Sequence, residues 1–226
     1  MSKLKSFLWL DFLTVKPYFT VRIMLIFPVL AFVLAAATGN VSSAIGVGVM
    51  LGPLFVSYPF AVGEKSNLDA LYLILSIGRK TVVLGRYFFA LSLNVCAVIF
   101  SFIFAMAGLF TARIANFGNR HGEAFWMVLL LAALVAVIQA IQLPIFFKFG
   151  YAKSKFLSLI PFFVILTGWS VFVSMGSDID FLGNFTGFLI NTLSTSGIIA
   201  LGVLVLLLLI FVSYRLSLSF YKKREF

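Results

Sequence analysis

Apolar positions in this chain gather into long runs, and the charged positions fall in the short gaps between them. A helix crossing a bilayer needs about 20 mainly apolar residues, and six stretches qualify: 18–38, 42–62, 87–110, 124–147, 157–175 and 196–214. None of them alternates with period two over ten residues, as a membrane barrel strand would. Hydrocarbon offers the backbone no hydrogen-bond partners, so helices, which bond internally, are the expected spanning elements. The pattern therefore predicts an all-α, polytopic membrane protein with residues 1–226 as a single transmembrane domain. Of the 17 Lys and Arg residues, 15 fall in the N-terminal segment through Arg22 or in 63–86, 148–156 and 215–226. The other two lie in 111–123, and neither 39–41 nor 176–195 holds any. Six spans with both termini cytoplasmic place the basic segments on the side where the positive-inside rule puts them. Arg22, just inside the first span, can snorkel to that surface.

Two shorter elements stand out. Residues 1–16 read as a helix lying along the membrane before Pro17 opens the first span. The polar residues there do not share one helical face, so a plain cytoplasmic extension of the first span is the competing expectation. The second is 67–77, inside V-G-E-K-S-N-L-D-A-L-Y-L-I-L-S-I-G-R-K-T-V-V-L-G-R-Y (62–87). Ser66 and Asp69 form S-x-x-D, a variant of the capping box that starts helices. Leu68, Leu71, Tyr72 and Leu75 follow at i, i+3, i+4 and i+7 as one apolar stripe. Gly78 is a stop signal, followed by Arg79 and Lys80. Such a helix is too short to span. It can rest on the lipid surface or present its stripe to a groove on a soluble partner.

Composition narrows the function classes. The chain is 62% hydrophobic and 11% charged, with a mean hydropathy of +1.15; soluble domains carry about 25% charged residues. The net charge of +10 is spread over the gaps, not gathered into a basic face, so nucleic acid is not an expected partner. Cys96 stands alone within an apolar run, which excludes an intrachain disulfide. The first sixteen residues hold Lys3, Lys5, Asp11 and Lys16 and no apolar core of leader length, so no cleavable signal is expected. His121 beside Glu123 has no second His or Cys to complete a metal site, and none is expected. Only seven acidic residues occur and none lies deep in a span, which weakens an ion-coupled pump. The phosphate-loop pattern G-x-x-x-x-G-K-[ST] is missing, so energy for transport would come from elsewhere.

Two polar or small-residue features sit within spans. Gly48 and Gly52, four apart, allow close approach of a helix, either within the chain or across a dimer seam. Gln139 and Gln142 precede Pro144 at the end of the fourth span. Buried amides need partners or water, so they either bond between helices or line a pathway. The 28 Phe residues mainly serve lipid and helix packing.

Two stretches carry a resemblance to a known family: P-F-A-V-G-E-K (59–65) continued by L-D-A-L-Y-L-I-L-S-I-G-R-K-T-V-V-L-G-R-Y (68–87), and Q-L-P-I-F-F-K-F-G-Y-A-K-S-K-F (142–156). They resemble the membrane subunit of type-2 ABC exporters, in the small six-span branch of Gram-positive bacteria. The specific motifs cover about 40 residues, while span number and order extend over most of the chain. The resemblance implies a non-catalytic permease in a bacterial cell membrane, paired with a second permease copy and with separate ATPase subunits that hold ATP and Mg. It also implies an amphipathic or hydrophobic export substrate, such as a phenol-soluble modulin, a bacteriocin or an antibiotic. In that family the 67–77 segment is the coupling helix, with Leu68, Leu71, Tyr72 and Leu75 docking on the ATPase. Glu64, Ser66, Asp69, Arg79 and Lys80 would flank it, and 176–195 would fold as two short helices dipping into the outer leaflet. A channel or carrier acting alone, and a membrane immunity or assembly factor, are the readings from other classes.

Overall fold

A computed structural model describes residues 3–18, 21–38, 51–74, 77–111, 120–161, 163–164, 167 and 195–223. Every regular element among them is helical: α1 (Lys3–Val15), a 3-10 turn (Lys16–Tyr18), α2 (Val21–Thr38), α3 (Leu51–Phe55), α4 (Tyr58–Lys65) and α5 (Leu68–Ile74). The chain continues with α6 (Arg79–Thr111), α7 (Arg120–Ser154), a 3-10 turn (Leu157–Leu159) and α8 (Thr195–Lys222). Three of these contain apolar stretches long enough to cross a membrane: Arg79–Gly108, Val128–Ser154 and Ile199–Lys222. They coincide with the expected third, fourth and sixth spans. The helix at the first span has 18 residues and carries Pro28. Residues 42–50 of the second span, most of the fifth beyond Leu159 and nearly all of 176–195 lie outside the described residues, as does Gly48.

The described part of the second span is two short helices, not one. Pro59 has no N–H, so the Phe55 carbonyl loses its partner four residues on. The backbone turns at Val56 and Ser57, and α4 restarts with Pro59 in its first turn. The Ser57 hydroxyl donates to the Leu54 carbonyl at 2.9 Å across this break.

Close packing of α2 on α6 comes from small residues. Ala31, Ala35 and Ala105 are fully buried or nearly so. A β-carbon on Gly108 would sit 2.5 Å from the Phe32 carbonyl oxygen and 2.8 Å from the Ala35 side chain. The pair thus uses the small-residue approach that apolar helices need in lipid, where water gives no drive for association. Helix α8 joins the bundle along a hydroxyl seam. The Tyr87 hydroxyl lies 2.5 Å from Ser213 Oγ and 2.8 Å from Ser217 Oγ, and Ser213 donates to the Ala140 carbonyl at 2.5 Å. Gly52 turns inward: a β-carbon there would lie 3.1 Å from Gln139 Nε2 and from Val135. In the described structure this glycine serves packing within the chain.

Helix α1 explains why its polar residues shared no face. Its Phe7 and Asp11 are wholly buried, while Trp9 is 61% exposed and Phe12 and Leu13 are exposed beside it. The inward edge thus holds the acid and the outward edge holds apolar rings. Asp11 Oδ2 sits 3.1 Å from Arg86 Nη1, and the Tyr72 hydroxyl donates to Asp11 Oδ1 at 3.3 Å. Burial pushes the Asp11 carboxyl above the usual carboxylate range, against the pull of the Arg86 guanidinium and the Tyr72 hydroxyl. The Phe60 ring lies 5.0 Å from the Arg86 guanidinium, and Phe7 rests edge-on to Tyr72 at 5.2 Å. Gly85 makes this possible, because a β-carbon there would run into the Phe7 ring.

Removing one member of a buried ion pair strands the other and costs about 3–5 kcal/mol, whereas replacing both by apolar residues costs far less. Arg86→Ala is therefore expected to lower the thermal unfolding midpoint in detergent sharply, and Asp11→Leu with Arg86→Met to recover most of it. Gly85→Ala should release α1 from α6, read as faster protease cleavage near residues 3–15. A double variant no more stable than Arg86→Ala would mean that the pair does not hold α1.

Candidate functional site

The segment between α3 and α6 contains the short helix singled out by the sequence, and its local geometry follows from three residues. Ser66 stands at the C-terminal cap of α4, its amide donating to the Val62 carbonyl at 2.9 Å. Asn67 has φ 48, a left-handed conformation that asparagine tolerates better than most side chains. Helix α5 then starts at once with Leu68. Ser66 thus closes one helix, and Asn67 makes the turn into the next. At the other end the Ile77 amide donates to the Tyr72 carbonyl at 2.9 Å. Gly78, the expected stop signal, lies past the end of α5 and directly before α6, its carbonyl accepting from the Thr81 amide at 2.8 Å and the Val82 amide at 3.2 Å.

The apolar stripe divides into two edges. Leu68 and Tyr72 are buried at 7% and 2% exposure, packed with Phe7, Val82, Val83 and Tyr87. Leu71 at 38% and Ile74 at 79% remain exposed. Positions i and i+4 face α1 and α6, and positions three apart on the adjacent edge face outward. The stripe read from sequence mixed the two edges and left out Ile74. Leu75 lies outside the described residues.

Two of the charged flanks bond to other parts of the chain while staying at least partly open to solvent. Glu64 Oε2 accepts from the Tyr151 amide at 2.6 Å and the Ala152 amide at 3.0 Å. Those amides follow Gly150, whose φ of 75 and ψ of 176 interrupt α7. That φ lies in the region open mainly to glycine. Phe60 stacks on Phe146 at 5.0 Å and meets Phe147 edge-on at 5.1 Å. The two sequence motifs thus meet in space, around a cleft of about 30 Å3 bordered by Glu64, Arg86, Gly150, Tyr151 and Tyr221. Past α5, Arg79 Nη1 donates to the Lys222 carbonyl at 2.5 Å, at the end of α8. Lys80 is exposed.

Within the bundle, Gln139 and Gln142 are buried at 3% and 1%. Gln142 Nε2 donates to the Ser158 carbonyl at 2.9 Å, which binds α7 to the following 3-10 turn. Gln139 lies against Gly52. Sequence reading passed over Asn94, buried at 6% with Nδ2 donating to the Ala132 carbonyl at 3.1 Å. It also passed over the Asp11–Arg86 pair. The available signal was that Asp11 is the only acid among the first 63 residues, placed within the apolar run of residues 7–13. Gly150 and Gly85 carried no signal beyond being glycines next to aromatic or basic residues.

The polar groups gathered here hold helix ends in place: a carboxylate on two freed amides, a guanidinium on a terminal carbonyl, and a buried ion pair. Among the described residues no three His, Cys, Asp or Glu side chains cluster as metal ligands would. The whole forms a short helix fixed on its inner edge and open on its outer edge, between long apolar helices. No curated protein and no solved structure matches the chain. The family model described as ABC-2 family transporter protein matches residues 7–222, taking in every helix that forms this arrangement. The chain is a membrane protein that belongs to the ABC-2 transporter family, whose members are permease components working with an ABC ATPase.

Proposed function

We propose that this chain is the permease subunit of an ATP-driven exporter in a bacterial cell membrane, with six spans and both termini in the cytoplasm. Helix α5 is its coupling helix, and the docking edge is Leu71 and Ile74. The observation that carries this reading is the exposed outer edge of a helix anchored by its inner edge, in a chain matched to the family over residues 7–222. A seven-residue helix has no stability of its own in water, so its position comes from Tyr72 and Leu68. A rigidly held helix with two bare apolar side chains suits a groove on a folded protein. ATP and Mg sit on the partner ATPase, and the pathway forms between two permease copies, identical or related. The cargo is an amphipathic or hydrophobic compound such as a peptide toxin, bacteriocin or antibiotic, as the family resemblance implies.

Docking is tested by co-purification. Buried apolar anchors typically contribute more than about 2 kcal/mol, roughly thirtyfold in affinity. Leu71→Asp and Ile74→Asp are expected to insert and fold normally yet lose the ATPase. Tyr72→Ala is expected to lower thermal stability, since its ring and hydroxyl serve α1 and Asp11. Full ATPase recovery with Ile74→Asp would defeat the docking assignment, and a wild-type chain that transports with no ATPase would favour a channel or carrier.

Topology is tested by thiol labelling after Cys96→Ser. Cysteines at Asn119 and Ser177 should react with an impermeant reagent outside intact cells. Cysteines at the exposed Lys153 and Lys223 should react only after permeabilisation. Labelling of Lys153→Cys from outside would overturn the orientation.

A further inference from the structure

We propose that Glu64 and Arg79 are internal struts that transmit movement of α5 to the fourth and sixth spans, and are not contacts for the ATPase. This rests on the docking of α5 proposed above. The two residues bracket α5, one before it and one after, and each reaches across to the end of a different long helix. Glu64 places a single carboxylate oxygen on the amides of Tyr151 and Ala152. Those amides have no regular helical acceptor because Gly150 breaks α7 just before them. Without Glu64 they would be orphaned, as the first amides of any helical turn are. Arg79 places its charge on the Lys222 carbonyl, in the last turn of α8, where the helix dipole favours a cation.

Both contacts are directional, which distinguishes them from the apolar surfaces around them. Apolar contacts among leucines and phenylalanines have no preferred bond direction. A charge-assisted hydrogen bond weakens steeply when its donor and acceptor part. A push on Leu71 and Ile74 is therefore passed on at the polar ends of the segment. On the upstream side it reaches the exit of α7, and Gln142 carries it on to Ser158 and the start of the expected fifth span. On the downstream side it reaches the end of α8. Tyr72 and Asp11 keep α1 moving with the same unit.

The test uses the full chain in nanodiscs with the ATPase that co-purifies with it. It compares Glu64→Ala, Glu64→Gln, Arg79→Ala and the docking variant Leu71→Asp. Three quantities are read: ATPase recovery, transport-linked ATP hydrolysis, and amide hydrogen exchange over 148–156 with and without ATP. Glu64→Ala is expected to keep the ATPase and to speed exchange at Tyr151 and at Ala152 by about tenfold each, since each amide loses its charge-assisted bond. It should also abolish the ATP-dependent change in that stretch and uncouple hydrolysis from transport. Glu64→Gln, which keeps an acceptor oxygen, should restore most of both. Arg79→Ala should keep the ATPase and uncouple in the same way, with faster exchange near Lys222. Loss of the ATPase in Glu64→Ala or Arg79→Ala to the level of Leu71→Asp would make them docking contacts and overturn the proposal. So would an ATP response unchanged from wild type. If no ATPase accompanies the wild-type chain, the docking reading falls and with it the transmission role.

Discussion

A carboxylate and a guanidinium buried against each other set the terms for the end of the bundle where α1, α4, α5 and α6 meet. Asp11 and Arg86 keep 0% and 5% of their side-chain surface exposed, and a charge removed from water is tolerated only beside its partner. That condition is demanding: α1 must lie where Asp11 meets Arg86, and α6 must present Arg86 next to a glycine that admits Phe7. Helix α5 must turn Tyr72 inward, and α4 must bring Phe60 under the guanidinium. Buried ion pairs add little net stability compared with apolar packing. What this one supplies is a single acceptable arrangement of four helices.

The short elements depend on such contacts because they cannot form alone. Helices below about 12 residues are marginal in water, and α3, α4 and α5 have 5, 8 and 7. They are held at their ends, by Asn67 in a left-handed turn, by Glu64 on α7 and by Arg79 on α8.

The long helices follow a different logic. Helix α8 leaves most of its apolar surface open, as a lipid-facing span does. Its attachment runs through Tyr87, Ser213, Ser217 and the Ala140 carbonyl. Helix α2 attaches through alanines and Gly108. In hydrocarbon, close backbone approach and hydrogen bonds replace the hydrophobic effect as the source of helix contact.

Much of this was open to reading from the chain alone. Apolar runs of spanning length foretold α6, α7 and α8, since hydrocarbon thickness sets length and a backbone without water must bond within its own helix. The short helix at 68–74 was legible from its periodicity, and two stretches of family resemblance proved to be neighbours through Glu64 and Tyr151. The sides of that helix were not legible. Periodicity tells that Leu68, Leu71 and Tyr72 lie near one another on a helix, but which of them a neighbouring helix covers depends on α1, some 60 residues away in sequence. The inward Asp11 contradicted the ordinary expectation for an amphipathic helix, because its partner lies at Arg86. The sequence alone determined that the chain is a membrane helix bundle, because the bilayer acts on each segment independently. Tertiary structure decided which residues of the short helix stay exposed and which are buried against α1 and α6, because that depends on contacts between segments that no local pattern encodes.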